Sequence, residues 1–249
     1  MLALGVDQTQ PGNSYIGCSG AALIDLSLVR VEDEARKAEA AARAALGEQD
    51  PTLRWTLDTA MTDMGGLGRV VANAAAFVDL VVQARPYGQG QGQEAEAVVE
   101  AALFQARAPV LILPDRVDQD RIAAPGRILL AWNQSAEALT AAKRALPLLQ
   151  AAAKLDATVI DPAPHGPERS DPGGPLCQFL VRHGVKAEVT VLARSRPRIA
   201  DVLAQHAMDI GADMMVMGAC GHSRLREAVL GGATRDVLEH TTIQVLMAH

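Results

Sequence analysis

The chain has 249 residues, of which 49% are apolar and 21% are charged, and its formal net charge is −6. This composition is typical of a soluble globular protein with room for one large or two small domains. An acidic balance without a basic stripe argues against a nucleic-acid partner. No apolar run reaches the roughly 18–20 residues that cross a bilayer, and three scattered cysteines indicate neither a disulfide framework nor a metal site. We therefore expect a cytoplasmic protein without a membrane partner.

The first part of the chain predicts strands that alternate with helices. Period-two apolar alternation or short apolar runs indicate the strands, and a 3.6-residue apolar period indicates the helices. In chain order these are a strand at 2–6, a helix at 21–46, a strand at 53–57, a helix at 67–76, a buried strand at 78–84, a helix at 94–105 and a strand at 109–113.

The same pattern starts again after residue 126. Ser135 is a plausible N-cap for a helix that runs to about residue 154, and Pro147 bends or breaks that helix. The remaining elements are strands at 128–132, 157–160, 187–192, 214–217 and 245–247, and helices at 176–183, at 198–210 and from about 234. Alternation at this spacing predicts parallel βαβ units.

An internal repeat relates the two parts. Residues 78–82 are similar in sequence to 212–216, and residues 109–112 are similar to 244–247. Helices of similar length lie between the two segments of each half. Two tandem domains of one fold are the simplest account. The predicted division is an N-terminal domain at 1–117, a linker at 118–126 and a C-terminal domain at 127–249.

The stretch after the strand at 214–217 predicts a phosphate-binding loop. Gly218 and Gly221 follow the strand, and after nine intervening residues Gly231 and Gly232 open a helix. Glycines allow main-chain N–H groups to approach an anion closely, and a helix start adds unpaired donors and the positive end of a dipole.

The pattern Gly218-x2-Gly221-x9-Gly231 resembles the nucleotide loop of universal stress proteins, and the whole chain resembles their tandem members. The family pattern ends in Ser or Thr where Gly232 stands, and Thr234 is close enough to replace that hydroxyl in part. The resemblance implies an α/β fold made of two tandem parallel-sheet domains, Rossmann-like and adenine nucleotide alpha-hydrolase-like. It also implies that ATP, with Mg²⁺, is bound by the C-terminal domain.

The same resemblance implies roles for further residues. The four glycines and Thr234 would hold phosphates, and Ile160, at the end of the second strand, would lie near the base. Asn133 stands where many family members have an Asp that meets the nucleoside. Asn retains the hydrogen-bonding shape without the charge, which is compatible either with binding or with drift away from it. Ser135 is better explained as a helix cap than as a ligand contact.

Other candidate sites have simpler explanations. The glycine-rich stretch at 86–94 precedes a helix whose first turn carries Glu94 and Glu96, which would repel phosphate. It is therefore predicted to be a flexible loop. Gly65–Gly68 is predicted to be a loop before a helix. Three arginines, Arg224, Arg226 and Arg235, could compensate phosphate charge, whereas Cys220 and His222 are better explained as ordinary loop residues.

The first domain lacks an opening strand and helix when it is compared with the second. In the family the sheet order is 3-2-1-4-5, so the missing strand would be central. A central gap would leave backbone groups of two strands unpaired. We therefore expect either an internal start or truncation at Met1, or a neighbouring segment that fills the gap.

The sequence predicts a stress-associated cytoplasmic protein in which ATP binding acts as a conformational or partner switch. The alternative is a non-nucleotide interaction protein that keeps the loop as a relic. In that case the last strands, 109–113 and 244–247, matter most. The resemblance implies that such edge strands pair between domains, as a pseudo-dimer, or between subunits, as a homodimer, and pairing would protect an exposed edge. A slow ATPase is a third alternative. It is weaker because no set of catalytic residues is recognisable in the sequence.

Overall fold

The computed structural model describes residues 2–7, 20–49, 51–88, 92–116, 125–162, 171–219 and 232–249, with side chains from residue 31 onward. The chain divides into two compact units, Met1–Ala74 and Ala75–His249. Within the described residues, no helix combines the length and the apolar character needed to cross a membrane.

In the first unit the structure describes two strands and two helices, the second of which ends one residue beyond the unit. They are β1 (Leu2–Asp7), α1 (Gly20–Gly47), β2 (Asp58–Asp63) and α2 (Met64–Ala75). The two strands pair in parallel, in register from Leu2 with Asp58 to Asp7 with Asp63. In α2 the buried side chains recur every four residues, at Leu67, Val71 and Ala75, so that one apolar stripe faces inward.

The predicted strand at 53–57 is wrong, because β2 begins five residues later. Leu53 and Trp55 suggested alternation, but their side chains are 51% and 39% exposed. The residues that form β2 are those that match β1 in register, and this long-range pairing is not encoded in local alternation. Asp63 ends the strand, and its carboxylate accepts a 2.6 Å hydrogen bond from the Gly66 amide. That bond caps the start of α2.

The second unit is built on a seven-stranded sheet. Its strands are β3 (Val81–Ala84), β4 (Val110–Leu113), β5 (Arg127–Ala131), β6 (Lys154–Ile160), β7 (Ala187–Leu192), β8 (Met214–Gly218) and β9 (Gln244–Ala248). Its helices are α3 (Gln93–Glu100, continued by a π-helical turn at Ala101–Gln105), α4 (Ala136–Arg144), α5 (Leu146–Ala151), α6 (Gly174–Arg182), α7 (Ile199–Ile210) and α8 (Gly232–His240).

The strand order in this sheet is β3-β4-β9-β8-β5-β6-β7. Neighbouring strands are parallel, except that β4 and β9 are antiparallel. The five strands of the second half therefore have the order 3-2-1-4-5 that the family resemblance implied. The last strand of the first half extends this sheet by pairing with the last strand of the second.

The side chains on both faces of the central strands are buried, as is typical of parallel sheets. Ile128, Leu130 and Val216 lie in one apolar cluster with side chains of α4, α5 and α6. The alternate positions Leu129 and Met215 are also buried, and they face the opposite side because successive side chains of a strand alternate.

Several element boundaries differ from the sequence predictions. Pro147 does break the predicted helix, which forms α4 and then the short α5. That second helix ends at Ala151, so β6 begins at Lys154 rather than at 157. The strand predicted at 78–84 is shorter, and it is half-exposed rather than buried.

Candidate functional site

The carboxyl ends of five parallel strands lie along one edge of the sheet. Asn133 follows β5, Ile160 ends β6, and Gly218 ends β8. Because β5 lies between β6 and β8, the structure brings these three predicted site residues to neighbouring strand ends. In the sheet, β6 and β7 lie on one side of β5, whereas β8 and β9 lie on the other side. The strand order therefore reverses at β5, and open α/β sheets bind ligands at such a reversal.

Gly218 is positioned by a close approach between β8 and the start of α4. A Cβ at this position would lie 2.5 Å from the backbone nitrogen of Ala138 and 2.6 Å from the carbonyl carbon of Glu137. Real Cβ atoms do not come so near to backbone atoms, so glycine allows this approach. The residue predicted to hold phosphate therefore also has a packing role.

The turn after β5 is organised by side-chain caps. The Asn133 side-chain oxygen accepts a 3.2 Å hydrogen bond from the Ser135 amide, and Gln134 between them has a φ of 63°. Ser135 is the N-cap of α4, as predicted, because its hydroxyl accepts a 3.0 Å bond from the Ala138 amide. Within the described residues, the side-chain nitrogen of Asn133 forms no hydrogen bond in this turn.

Replacing Ser135 by alanine is expected to lower the free energy of unfolding by about 1 kcal/mol, because the Ala138 amide loses its acceptor. Urea unfolding would measure this change. Ser195→Ala is the matched control, since Ser195 is exposed in a loop and caps no helix. Equal losses in the two variants would contradict the assigned cap.

The loop after β6 begins with a residue in the left-handed region. Ile160 is half-buried, and Asp161 has a φ of 50°. The Asp161 amide still donates to the Leu192 carbonyl at 2.9 Å, so the pairing of β6 with β7 continues to the strand ends. Ile160 therefore lies at a well-defined position on the site edge.

Helix α8 begins at Gly232. Gly232 is exposed, and apart from its chain neighbours and its own helix backbone no atom of the described residues lies within 4 Å of the position that a Cβ would take. Thr234, by contrast, is only 3% exposed and faces inward with Val237 and Leu238. Gly221 and Gly231 lie outside the described residues, as do Cys220, His222, Arg224 and Arg226.

The family model for universal stress proteins matches residues 125–249. That range is half of the chain and contains the whole site described above. The chain belongs to the universal stress protein family. A curated family member from Synechocystis sp. is 36% identical over 69 residues, which are 28% of this chain and 23% of that protein.

Solved structures of the family have the same fold. A universal stress protein from Archaeoglobus fulgidus matches with a TM-score of 0.64 at 14% identity, over 95% of this chain and 82% of its own. A structure from Pseudomonas aeruginosa described as a putative universal stress protein matches with a TM-score of 0.54 at 17% identity, over 98% and 91%. Identities this low establish similarity of fold alone.

Arg235, which the sequence suggested as a phosphate partner, has other contacts in this family member. Its guanidinium lies 5.1 Å from the centre of the Tyr87 ring, and its Nε donates to Glu239 at 2.8 Å. The Tyr87 hydroxyl donates to Glu96 at 2.8 Å, and burial, followed by this bond, raises the pKa of Tyr87 above its usual value. Tyr87 thus ties α3 and α8 together, a contact that sequence spacing did not reveal.

A buried polar cluster below the site edge was also missed. Asp156 accepts hydrogen bonds of 2.7 Å from both Thr158 and Thr190, and His206 Nε2 lies 3.4 Å from the same carboxylate. Asp156 is 8% exposed and Thr158 is 1% exposed. The available sign in the sequence was an aspartate in the middle of an apolar strand, where a partner is required.

Proposed function

We propose that this universal stress protein binds ATP, with Mg²⁺, at the carboxyl edge of its C-terminal sheet. Binding would act as a conformational or partner switch in a cytoplasmic stress response rather than as catalysis. The observation that carries the proposal is the meeting of β5, β6 and β8 at a reversal of strand order, in the part of the chain that matches the family.

The described residues are compatible with a nucleotide. The start of α8 at Gly232 is exposed, and among the described residues its Cβ position has open space around it. A helix start offers amide donors and a favourable dipole to phosphate. Gly218, Gly221, Gly231 and Thr234 would join Gly232 in holding phosphates. Since the Thr234 side chain is buried, we propose that its backbone amide makes this contribution.

The other end of the nucleotide would lie against the ends of β5 and β6. The amide nitrogen of Asn133 would donate to a nucleoside hydroxyl, because only its oxygen is used in the turn after β5. Ile160 would contact the base, for which a half-buried aliphatic side chain is suitable. Mg²⁺ would supply charge neutralisation at the phosphates when it is bound with ATP.

Gly232→Glu is expected to weaken ATP binding at least about tenfold, since a carboxylate at a helix start repels phosphate. The same charge favours the helix dipole, so the variant should be folded and no less stable. Isothermal titration calorimetry with ATP and Mg²⁺ would measure the affinity, beside thermal unfolding. Gly232→Gln has nearly the same size without the charge, and it should bind within a few-fold of the parent.

Saturable binding that is lost in the Glu variant and kept in the Gln variant would support the switch. No binding at millimolar ATP to the folded parent would contradict it. Phosphate release above background that disappears when Gly231 is made bulky would instead indicate a slow ATPase.

We also propose the tandem arrangement, with domains at 1–117 and 127–249 joined by a linker at 118–126. Its support lies in matching strand pairs: β1 and β2 pair in parallel as β6 and β7 do, and β3 and β4 pair as β8 and β9 do. The antiparallel pairing of β4 with β9 supports a pseudo-dimeric relation between the two halves.

The second candidate is an interaction protein that has the fold without the nucleotide. The contacts of Arg235 with Tyr87 and Glu239 favour it. Arg235 was suggested as a phosphate partner, and these contacts show its guanidinium bound to groups of the protein itself. The ATP titration separates the two candidates.

A further inference from the structure

A cavity of about 180 Å³ lies between α7 and α8 in the second unit. Met215 of β8 lines it from the sheet, Ala207 lines it from α7, and Val237 lines it from α8, and all three side chains are buried. The described residues that line the cavity all belong to this one unit. Because protein interiors contain few voids larger than a water molecule, a space of this size calls for a physical explanation.

The cavity results from small side chains along one face of α7. Ala200, Ala204 and Ala207 are spaced four and three residues apart, so they share a face of the helix, and all three line the cavity. On the opposite face of the sheet, the absence of a side chain at Gly218 allows α4 to approach β8 closely. Between α7 and α8 the space that the small side chains leave is not closed in this way.

The size and lining of the cavity suit a small molecule with an apolar body. An engineered protein cavity of about 150 Å³ binds benzene, so about 180 Å³ has room for a molecule of about eight non-hydrogen atoms. Met215, Val237 and Ile243 add apolar surface to that of the alanines. Burial of an apolar ligand there would be favourable, and the ligand would supply the contacts that atoms around an empty space lack.

Carboxylates make one part of the lining negative. Asp201 of α7 and Asp236 of α8 both line the cavity, and their side chains are 27% and 28% exposed. Arg198 donates two hydrogen bonds to Asp201, at 2.9 and 3.0 Å, whereas its distance to the Asp236 carboxylate is 3.7 Å. Within the described residues, that long ion pair is the one polar contact of the Asp236 carboxylate. A single guanidinium thus serves two carboxylates, and Asp236 retains the capacity to bind a cation.

We propose that this cavity binds a small primary amine with an apolar body. The body would lie over Met215 between the two helices, and the ammonium group would donate to the Asp236 carboxylate. A neutral molecule would leave Asp236 weakly paired, and an anion would be repelled by both carboxylates. None of the described residues that line the cavity is among those proposed to hold ATP, so the two sites are separate.

The probe is benzylamine, which has an aromatic ring, a primary ammonium group and eight non-hydrogen atoms. Titration of the full-length, ¹⁵N-labelled protein, followed by amide NMR spectra, should give saturable shifts at Met215, Val237 and Ile243. We expect a Kd of about 1 mM or lower, which is within reach for a ligand of this size. Benzyl alcohol has the same number of non-hydrogen atoms without the charge, and it should bind at least about threefold more weakly.

Ala204→Leu tests the location of the site. Ala204 is half-buried, so the larger side chain has room to enter the cavity, and filling a cavity should not lower the thermal unfolding temperature. The variant should bind benzylamine at least about tenfold more weakly, because the space for the ring is occupied. Ala151→Leu is the matched control, since Ala151 is exposed at the end of α5. It should bind as the parent does.

Asp236→Asn tests the choice of an amine. Loss of the carboxylate charge should weaken benzylamine binding about three- to fivefold, as expected for a partly exposed ion pair, and should leave the binding of benzyl alcohol unchanged. Asp209→Asn alters the net charge equally, but Asp209 is exposed on α7 and pairs with Gln205. This control variant should bind both probes as the parent does.

The absence of benzylamine binding to the folded parent would overturn the proposal, and so would undiminished binding to Ala204→Leu. Equal affinities for benzylamine and benzyl alcohol would assign the cavity to neutral molecules and overturn the choice of an amine. Self-association of the parent that Ala204→Leu abolishes, without benzylamine binding, would assign the cavity to a side chain of a second copy and also overturn it. Since ATP is absent throughout, failure here is distinguishable from failure of nucleotide binding.

Discussion

Replacing Gly218 by valine is expected to lower the free energy of unfolding of the second unit by about 3 kcal/mol. The reason is space, since even a Cβ would lie 2.5 Å from the Ala138 nitrogen and 2.6 Å from the Glu137 carbonyl carbon. Backbone atoms of a helix start cannot rotate away as a side chain can, so β8 and α4 must separate. Urea unfolding followed by the fluorescence of Trp132, in a Trp55→Phe background, would measure the loss.

Gly232→Val is the matched control, because in the part of the chain that the structure describes a Cβ at that position would meet no atom within 4 Å beyond its chain neighbours and its own helix backbone. We expect its stability within about 0.5 kcal/mol of the parent. A similar loss in both variants would mean that the two glycines matter through backbone freedom. A small effect at Gly218 alone would show that β8 and α4 can separate at little cost.

The packing of Gly218 explains why its role could not be read from the sequence alone. Glycine is required where backbone amides approach a phosphate, and it is equally required where two backbones approach each other. The sequence pattern Gly218-x2-Gly221 is compatible with either reason. The structure adds the second reason without removing the first, so the ATP titration is needed to test the phosphate role.

Elements with a local chemical cause were predicted well. Strand β7 has the predicted bounds at Ala187–Leu192, Ser135 caps α4, and Gly211 ends α7 with a φ of 64°. Each of these depends on residues a few positions apart. The β2 strand was misplaced because its position depends on pairing with β1, more than 50 residues away.

The contacts missed in the site region are also long-range. Tyr87 and Arg235 are far apart in the chain, and they meet because β4 pairs with β9 and thereby brings α3 and α8 together. His206 reaches Asp156 from α7, across the face of the sheet. In a single sequence, Tyr87, Arg235 and His206 look like an ordinary aromatic residue, a surface arginine and a histidine within a helix. Their partners become visible only in the folded chain.

Replacing Asp156 by alanine is expected to lower the free energy of unfolding by about 3 kcal/mol. The buried hydroxyl of Thr158 and the partly buried hydroxyl of Thr190 lose their acceptor, and His206 loses its carboxylate neighbour. Leaving buried donors unpaired costs about 1–3 kcal/mol each, without strict additivity. Asp156→Asn keeps one acceptor oxygen and the shape, so it should lose about 1 kcal/mol.

A double-mutant cycle with Thr158→Val isolates the hydrogen bond from the burial of charge. If the carboxylate is stabilised by its hydroxyl donors, Asp156→Ala should cost less in the Thr158→Val background, with a coupling energy of about 1 kcal/mol. Buried charges can also be a net cost that apolar replacement relieves. Unchanged or increased stability of Asp156→Ala, with no coupling to Thr158, would show that this cost dominates at β6.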